Sequence, residues 1–191
     1  MPPKQNYTKE AVLRAAEKIM LRNGFETVNA RSLAKELGCS TQPIYSYFAD
    51  MKALKNELYN MVVNQFMGKI NTKKDDDDFL NYATKTFILT AKNESHLFRF
   101  IYNSHNFDGK SMEELLSEYE TNRLICERLI KDYSLSEKQG HITFYKIWFF
   151  IYGISTMLAT NKLNISDSEV FELVQKTIAD ILKIKGSGEL V

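Results

Sequence analysis

Residues 29–54, NARSLAKELGCSTQPIYSYFADMKAL, describe two short helices joined by a tight turn. Asn29 stands where a side-chain oxygen can satisfy the first unpaired N–H groups of a helix. Leu33, Ala34 and Leu37 then recur at three- and four-residue spacing, so they share one buried face. Gly38 follows the last apolar position, where a left-handed residue closes a helix at little steric cost. Ser40 reads as the cap of a second helix carrying Ile44, Tyr47 and Phe48. Ala34 is small for a reason: where two helices cross steeply over a short turn, a larger side chain would hold the second off the first. Pro43 falls in the first turn of that second helix, where its missing N–H would have no helical partner. Small Ala34, then Gly38, then apolar Ile44 is the joint pattern of a helix-turn-helix, the geometry that lets one helix enter a groove of duplex DNA.

The chain before this stretch extends the pattern. A first helix capped by Thr8, with Val12, Ala15, Ala16, Ile19 and Met20 as its inner stripe, ends in Leu21-Arg22-Asn23-Gly24-Phe25. An amphipathic helix, a Gly-aromatic turn, a short helix with Leu-Ala, then Gly-x-Ser and Tyr-x-Tyr-Phe follow in order. Over residues 8–58 the chain thereby resembles the TetR/AcrR family of one-component bacterial transcriptional regulators. One position departs: the family commonly has a lysine three residues after the phenylalanine corresponding to Phe48, and Met51 stands there, with Lys52 next.

The resemblance implies DNA contacts from Arg31, Ser40, Thr41, Gln42, Pro43, Tyr45, Tyr47 and Lys52. Arg31 and Gln42 have side chains that can make paired hydrogen bonds to guanine and adenine edges, so they are expected to read sequence. Ser40, Thr41, Tyr45, Tyr47 and Lys52 are expected to position the helix on phosphates, with a core ring an equal alternative for Tyr47. The resemblance also implies a homodimer formed through the last two helices, a small-molecule effector in the C-terminal part, and action as a repressor on a pseudo-palindromic operator. Two other readings use the same features: a DNA-binding regulator answering to a protein partner with no small molecule, or a helical enzyme.

Overall charge is nearly balanced at +1, but its distribution is not. Residues 1–54 hold eight Lys/Arg against five Asp/Glu, and the rest of the chain 17 against 19, which favours a basic DNA-facing end. The two cysteines, Cys39 and Cys126, form no CxxC pair and neighbour no histidine. They read as buried thiols, and a disulfide scaffold, a metal site and a cofactor are not expected. His96, His105 and His141 are scattered singly, and no phosphate-binding glycine loop, nucleophile elbow or HExxH helix occurs, so an enzyme is not expected. Residues 1–5 lack the apolar core of a leader, which makes the cytoplasm the expected compartment.

Periodicity predicts an all-α chain of about nine helices and no strand: a helix-turn-helix DNA-binding domain at residues 1–54 and a helical ligand-binding and dimerisation bundle at 55–191. The fourth helix runs from about Lys52 to Ile70 with Leu54, Leu58, Met61, Val62 and Phe66 on one face, and polar NTKKDDDD ends it. The acidic residues 75–78 read as the favourable start of the next helix rather than a metal site. Ser111, Ser136 and Ser166, each followed three residues later by Glu or Gln, open the seventh, eighth and ninth helices as capping boxes. Residues 142–158 are apolar but interrupted by Thr143, Lys146, Ser155 and Thr156, short of the roughly 20 residues a bilayer needs, so no membrane span is expected. Trp148, Tyr152 and Gly153 resemble the Trp-x-x-x-His-Gly signature of one C-terminal subclass, although a glycine in a buried helix more often marks close packing. Tyr82, Tyr119, Arg123, Tyr145, Lys146, Trp148 and Tyr152 are the candidates for lining a largely apolar effector pocket. Lys146 stands out, since a cation in an apolar helix needs a partner or an anionic ligand, unless its stem carries the ammonium to solvent.

Overall fold

The computed structural model describes residues 7–103, 109–161 and 163–183, and every regular element among them is helical. In order these are α1 (Lys9–Asn23), a 3-10 turn (Phe25–Thr27), α2 (Ala30–Leu37), α3 (Gln42–Tyr47), α4 (Met51–Asn71), α5 (Phe79–Asn93), α6 (Ser95–Tyr102), α7 (Met112–Glu118), α8 (Glu120–Asp132), α9 (Glu137–Asn161) and α10 (Asp167–Lys183). His105, Phe107 and the Gly-Ser-Gly segment at 186–188 lie outside the described residues.

Among the described residues ten α-helices replace the nine expected, because the seventh divides at Tyr119, whose backbone is extended (φ −119°, ψ 133°). No glycine or proline marks this break. Side chains at the start of α8 hold it open instead: Asn122 Nδ2 donates to the Leu115 carbonyl at 2.9 Å, and Thr121 Oγ1 to Asn71 Oδ1 at 2.7 Å. The expected capping boxes are formed. Ser111 and Glu114, Ser136 and Gln139, and Ser166 and Glu169 each exchange backbone N–H groups for side-chain oxygens. Hydrogen bonds from Ser111 and Ser166 hold the Glu114 and Glu169 carboxyls below the usual glutamate range, as capping in the charged form requires.

The chain divides into two compact units. The first comprises Met1–Phe66 with Glu94–Asn106, the second Met67–Asn93 with Phe107–Val191. The boundary read at residue 54 therefore falls inside α4, and the first unit also takes in α6. In that unit α1 is central, packing on α2, the 3-10 turn, α3 and α6. Its predicted stripe, Val12, Ala15, Ala16, Ile19 and Met20, is buried throughout. Aromatic contacts bring α6 in: Phe25 lies 5.1 Å from Phe100, and the Tyr59 hydroxyl reaches the Ile101 carbonyl at 3.4 Å.

In the second unit α5, α8 and α10 pack on α9. The inner face of α9 is Thr143, Phe144, Ile147, Ile151, Ser155, Leu158 and Ala159, all buried. The expectation that this helix is too short and too interrupted for a bilayer is corrected: by length and composition Glu137–Thr160 could cross one, and 39% of its apolar window is buried inside the protein. The interruptions counted against it are hydroxyls and a single lysine, which lower hydropathy less than further charges would. Lys92 ties α5 to the start of α10, donating to the Ile165 carbonyl at 2.8 Å and Asp167 Oδ1 at 2.5 Å. The acidic residues before α5 serve local structure: Asp76 pairs with Lys73 at 3.2 Å, the Asp76 carbonyl accepts from Arg128 at 3.1 Å, and Asp78 accepts from Asn81 at 3.2 Å.

Gly140 of α9 lies against the Ile130 side chain of α8. A Cβ added there would lie 2.7 Å from Ile130 Cδ1. Gly140→Ala is expected to destabilise by about 1–3 kcal/mol through overpacking, despite alanine's better helix propensity. Chemical denaturation of the two proteins measures the sign.

Candidate nucleic-acid interface

Asn29 Oδ1 accepts from the backbone N–H of both Arg31 and Ser32 at 3.0 Å, and Ser32 Oγ returns a bond to the Asn29 N–H at 3.0 Å. This reciprocal cap fixes the first turn of α2 and with it the exposed Arg31. The other end closes at Gly38, which is left-handed (φ 68°, ψ 35°). There the Cys39 N–H bonds the Ala34 carbonyl at 2.9 Å and the Gly38 N–H the Lys35 carbonyl at 3.3 Å, the paired pattern of a Schellman stop.

α3 starts one turn later, and Ser40 does not cap it. The residue before the helix is Thr41, in right-handed helical conformation and without a side-chain cap. The reason is local: Pro43 offers no N–H in the first turn, and the Ile44 N–H is taken by the Thr41 carbonyl at 3.2 Å. The hydroxyl of Thr41 would find no free donor at the two positions a cap serves, and Ser40 makes no cap hydrogen bond among the described residues. Ile44 and Phe48 are buried, as are Leu33 and Ala34 of α2. Tyr47 is exposed to 42% and Tyr45 to 53%, so Tyr47 is not a core ring. Gln42 and Ser40 are exposed, and Thr41 and Pro43 half-buried. Cys39, read as buried, is half-buried in the turn, whereas Cys126 is buried and its thiol pushed up by burial.

Asp50 was not anticipated. Its Oδ1 accepts from the Ala53 N–H at 2.7 Å and opens α4, a role legible in an aspartate followed by an apolar-periodic run. Lys52 is exposed in that first turn. The dipole of a helix disfavours a cation there, so Lys52 is not placed for helix stability.

The cations of α1, α2 and the start of α4 fall into two groups. Those of α1 are paired: Lys9 with Glu57 at 2.6 Å, Arg14 with Glu17 at 3.0 Å, and Lys18 and Arg22 with Glu36 at 2.6 and 3.0 Å. Hydrogen bonds from Lys18 and Arg22 hold Glu36 below the usual carboxylate range. Arg31, Lys35 and Lys52, on α2 and the start of α4, form no ion pair among the described residues. Exposed polar atoms of α3 and unpaired cations therefore occur together around the helix-turn-helix.

The residues read as effector contacts are all in the second unit and fare differently. Arg123 and Lys146 are exposed, and the stem of Lys146 carries its ammonium outward. Tyr145 is half-buried and its hydroxyl donates to the Met112 carbonyl at 2.9 Å. Trp148 and Tyr152 stack at 5.4 Å and 16°, and burial raises the Tyr152 hydroxyl. Tyr82 and Tyr119 are half-buried. Gly153 is exposed, with open space where a Cβ would go, so it does not mark close packing within the chain. Ser155, read only as an interruption, is fully buried and its hydroxyl has no hydrogen-bond partner among the described residues. Among the described residues no three His, Cys, Asp or Glu side chains gather as a metal-holding group.

Residues 12–58 match the family model described as bacterial regulatory proteins, tetR family. No curated protein matches the chain.

Platform and surface should separate under mutation. Ile44→Ala is expected to cost about 2–5 kcal/mol of stability as a buried truncation, while Gln42→Ala and Tyr45→Ala shift the denaturation midpoint little. Thermal denaturation of the three variants, followed by helical circular dichroism, makes the comparison.

Proposed function

We propose, from the match of residues 12–58 to the tetR family of bacterial regulatory proteins, that this chain is a DNA-binding transcriptional regulator, a homodimeric, cytoplasmic repressor that reads a pseudo-palindromic operator and releases it when a small apolar effector binds. The observation that carries the reading is the joint exposure of Gln42, Tyr45 and Tyr47 on a short helix pinned by Ile44 and Phe48, flanked by the unpaired cations Arg31 and Lys52. Gln42 and Arg31 read base edges in the major groove. Ser40, Thr41, Tyr45 and Tyr47 hold the sugar-phosphate backbone, and Pro43 stiffens the entering turn. Lys52, with the N–H groups at the start of α4, takes over the phosphate contact that a lysine at position 51 would make.

The homodimer forms through α9 and α10. Support comes from an apolar surface that the chain leaves uncovered: Phe149 and Met157 on α9 are 49% and 47% exposed, with Gly153 between them at four-residue spacing, and Leu173 on α10 is 46% exposed. Pairing puts two α3 helices on one side of the duplex with two-fold symmetry. The effector is held in the second unit by Tyr82, Tyr119, Trp148 and Tyr152, with the unpartnered Ser155 hydroxyl as a polar anchor. Bound effector favours the form in which α4 holds the two reading helices at the wrong spacing, so DNA affinity falls by its preference for that form. The protein does this work by binding alone, without a cofactor and without catalysis.

Selection of bound duplexes from a random pool is expected to return a pseudo-palindrome with half-sites about one helical turn or a simple multiple apart. On that operator Gln42→Ala loses about 1–3 kcal/mol of discrimination at one base pair, while Lys52→Ala weakens operator and random DNA alike and lowers the salt slope by about one. An unchanged base preference in Gln42→Ala overturns the reading role of α3. In sedimentation, the parent is expected to be a dimer and Phe149→Glu a monomer; a variant that stays dimeric removes α9 from the interface.

A further inference from the structure

The first unit contains a cavity of about 310 Å³ between the turn after α1, α4 and α6, lined by Gly24, Phe25, Lys55, His96, Arg99 and Phe100. Gly24 forms one wall of the cavity. Its φ is +88°, and a Cβ there would lie 2.6 Å from Glu26 Oε2 and 3.1 Å from His96 Nδ1. A side chain there would displace the Glu26 carboxylate and crowd the His96 ring, and the positive φ itself disfavours one. Phe25 and Phe100, tilted at 30° with centroids 5.1 Å apart, give the apolar part of the lining.

The polar part is biased toward anions. Arg99 Nη2 lies 2.7 Å from His96 Nδ1, and since a guanidinium only donates, that nitrogen accepts and the ring hydrogen sits on Nε2. Arg99 Nε reaches the Ser95 carbonyl at 3.4 Å, and Nη1 has no partner among the described residues. Lys55 Nζ lies 5.1 Å from the centroid of Phe25. Neither Lys55 nor Arg99 has a carboxylate within ion-pair distance among the described residues, in contrast to every cation of α1. Both are half-buried, so each has lost water without gaining a counter-charge. Glu26 also lines the cavity, which leaves the lining one positive charge in excess.

We propose that this cavity is a second small-molecule site, which takes a monocarboxylate with a compact apolar body. The carboxylate bridges the Lys55 ammonium and the Arg99 guanidinium, accepting a fork of N–H bonds from the latter, and the apolar body lies along Phe25 and Phe100. One excess positive charge matches one carboxylate and disfavours a dianion. A cavity of this size holds one ring and its acid group, at the small end of ligand pockets. The site shares its unit with the recognition helix and is distinct from the effector site of the second unit.

Benzoate is the probe, titrated calorimetrically into the full chain at fixed ionic strength, with inorganic phosphate in a parallel arm. Saturable binding of one benzoate per chain is expected, weakened about tenfold or more in both Lys55→Gln and Arg99→Gln, with phosphate neither binding there nor competing. Absence of saturable heat, or affinity unchanged from the parent in both variants, overturns the site. Displacement of benzoate by phosphate overturns the carboxylate assignment and makes this a bare-anion or DNA-phosphate contact. Should Arg99→Gln lose its helical circular dichroism, Lys55→Gln decides. The readout involves no DNA, so its failure leaves the operator-binding reading standing and the converse also holds.

Discussion

A helix of six residues does not persist by itself in water, since isolated helices shorter than about 12–15 residues are marginal even in favourable sequences. Everything α3 presents to solvent therefore depends on the burial of Ile44 and Phe48. Full burial of such side chains is worth about 1.5–3 kcal/mol each, enough to hold one and a half turns of helix and no more. The seat they occupy exists because Leu33 and Ala34 of α2 are packed on α1, and because Gly38 turns the chain without steric cost. The exposed ion pairs between α1 and α2 cannot substitute for this packing. Pairs of that kind are weakened by solvent and salt, so Glu36 trims the arrangement that the apolar contacts create.

What the ion pairs do is sort the cations. Net charge over residues 1–54 suggests a basic end but cannot say where its field is felt. Pairing settles that question within the unit, because Lys9, Arg14, Lys18 and Arg22 are each neutralised by a carboxylate within 3.0 Å. The positive potential that remains comes from Arg31, Lys35 and Lys52 around the helix-turn-helix and from Lys55 and Arg99 at the cavity. A phosphate backbone and a small carboxylate respond to the same deficit of anions, and they differ in what accompanies it. Around α3 the neighbours are exposed hydroxyls and an amide, suited to a wet polar partner. Beside Arg99 they are two phenylalanine rings, suited to something that carries its own apolar surface.

Local features were legible in the sequence, and features made by distant residues were not. Thr8, Asn29, Gly38, Ser111, Ser136 and Ser166 were readable because a cap is decided by residues within three positions of itself. The same logic failed at Ser40, where Pro43 removes the donor a cap would serve, and missed Asp50. Tyr119 breaks a helix although nothing in its own neighbourhood forbids continuation; the break is held by Thr121 reaching Asn71, fifty residues away in the chain. The membership of α6 in the first unit, and hence the cavity, rests on Phe25 meeting Phe100 and Tyr59 meeting Ile101, which no periodicity reveals. Lys146 drew notice because a cation interrupts an apolar helix, but one position on a helix points outward as readily as inward, and this one is exposed.

α9 makes the general point about apolar helices. Its hydropathy alone would suit a bilayer, yet the residues divide by face: Phe144, Ile147, Ile151, Ser155 and Leu158 advance by threes and fours along a side covered by α5, α8 and α10, while Phe149, Gly153 and Met157 advance by fours along a side that is exposed among the described residues. The first set satisfies the second unit by itself. A monomer would need nothing on the second set, and polar residues would serve it better in water. The glycine in the middle of that stripe sharpens the argument, because a residue with open space at its Cβ and a lower helix propensity than alanine gives the isolated chain no advantage. It becomes useful only when another backbone approaches there, as two copies of α9 crossing at Gly153 in the proposed dimer would do.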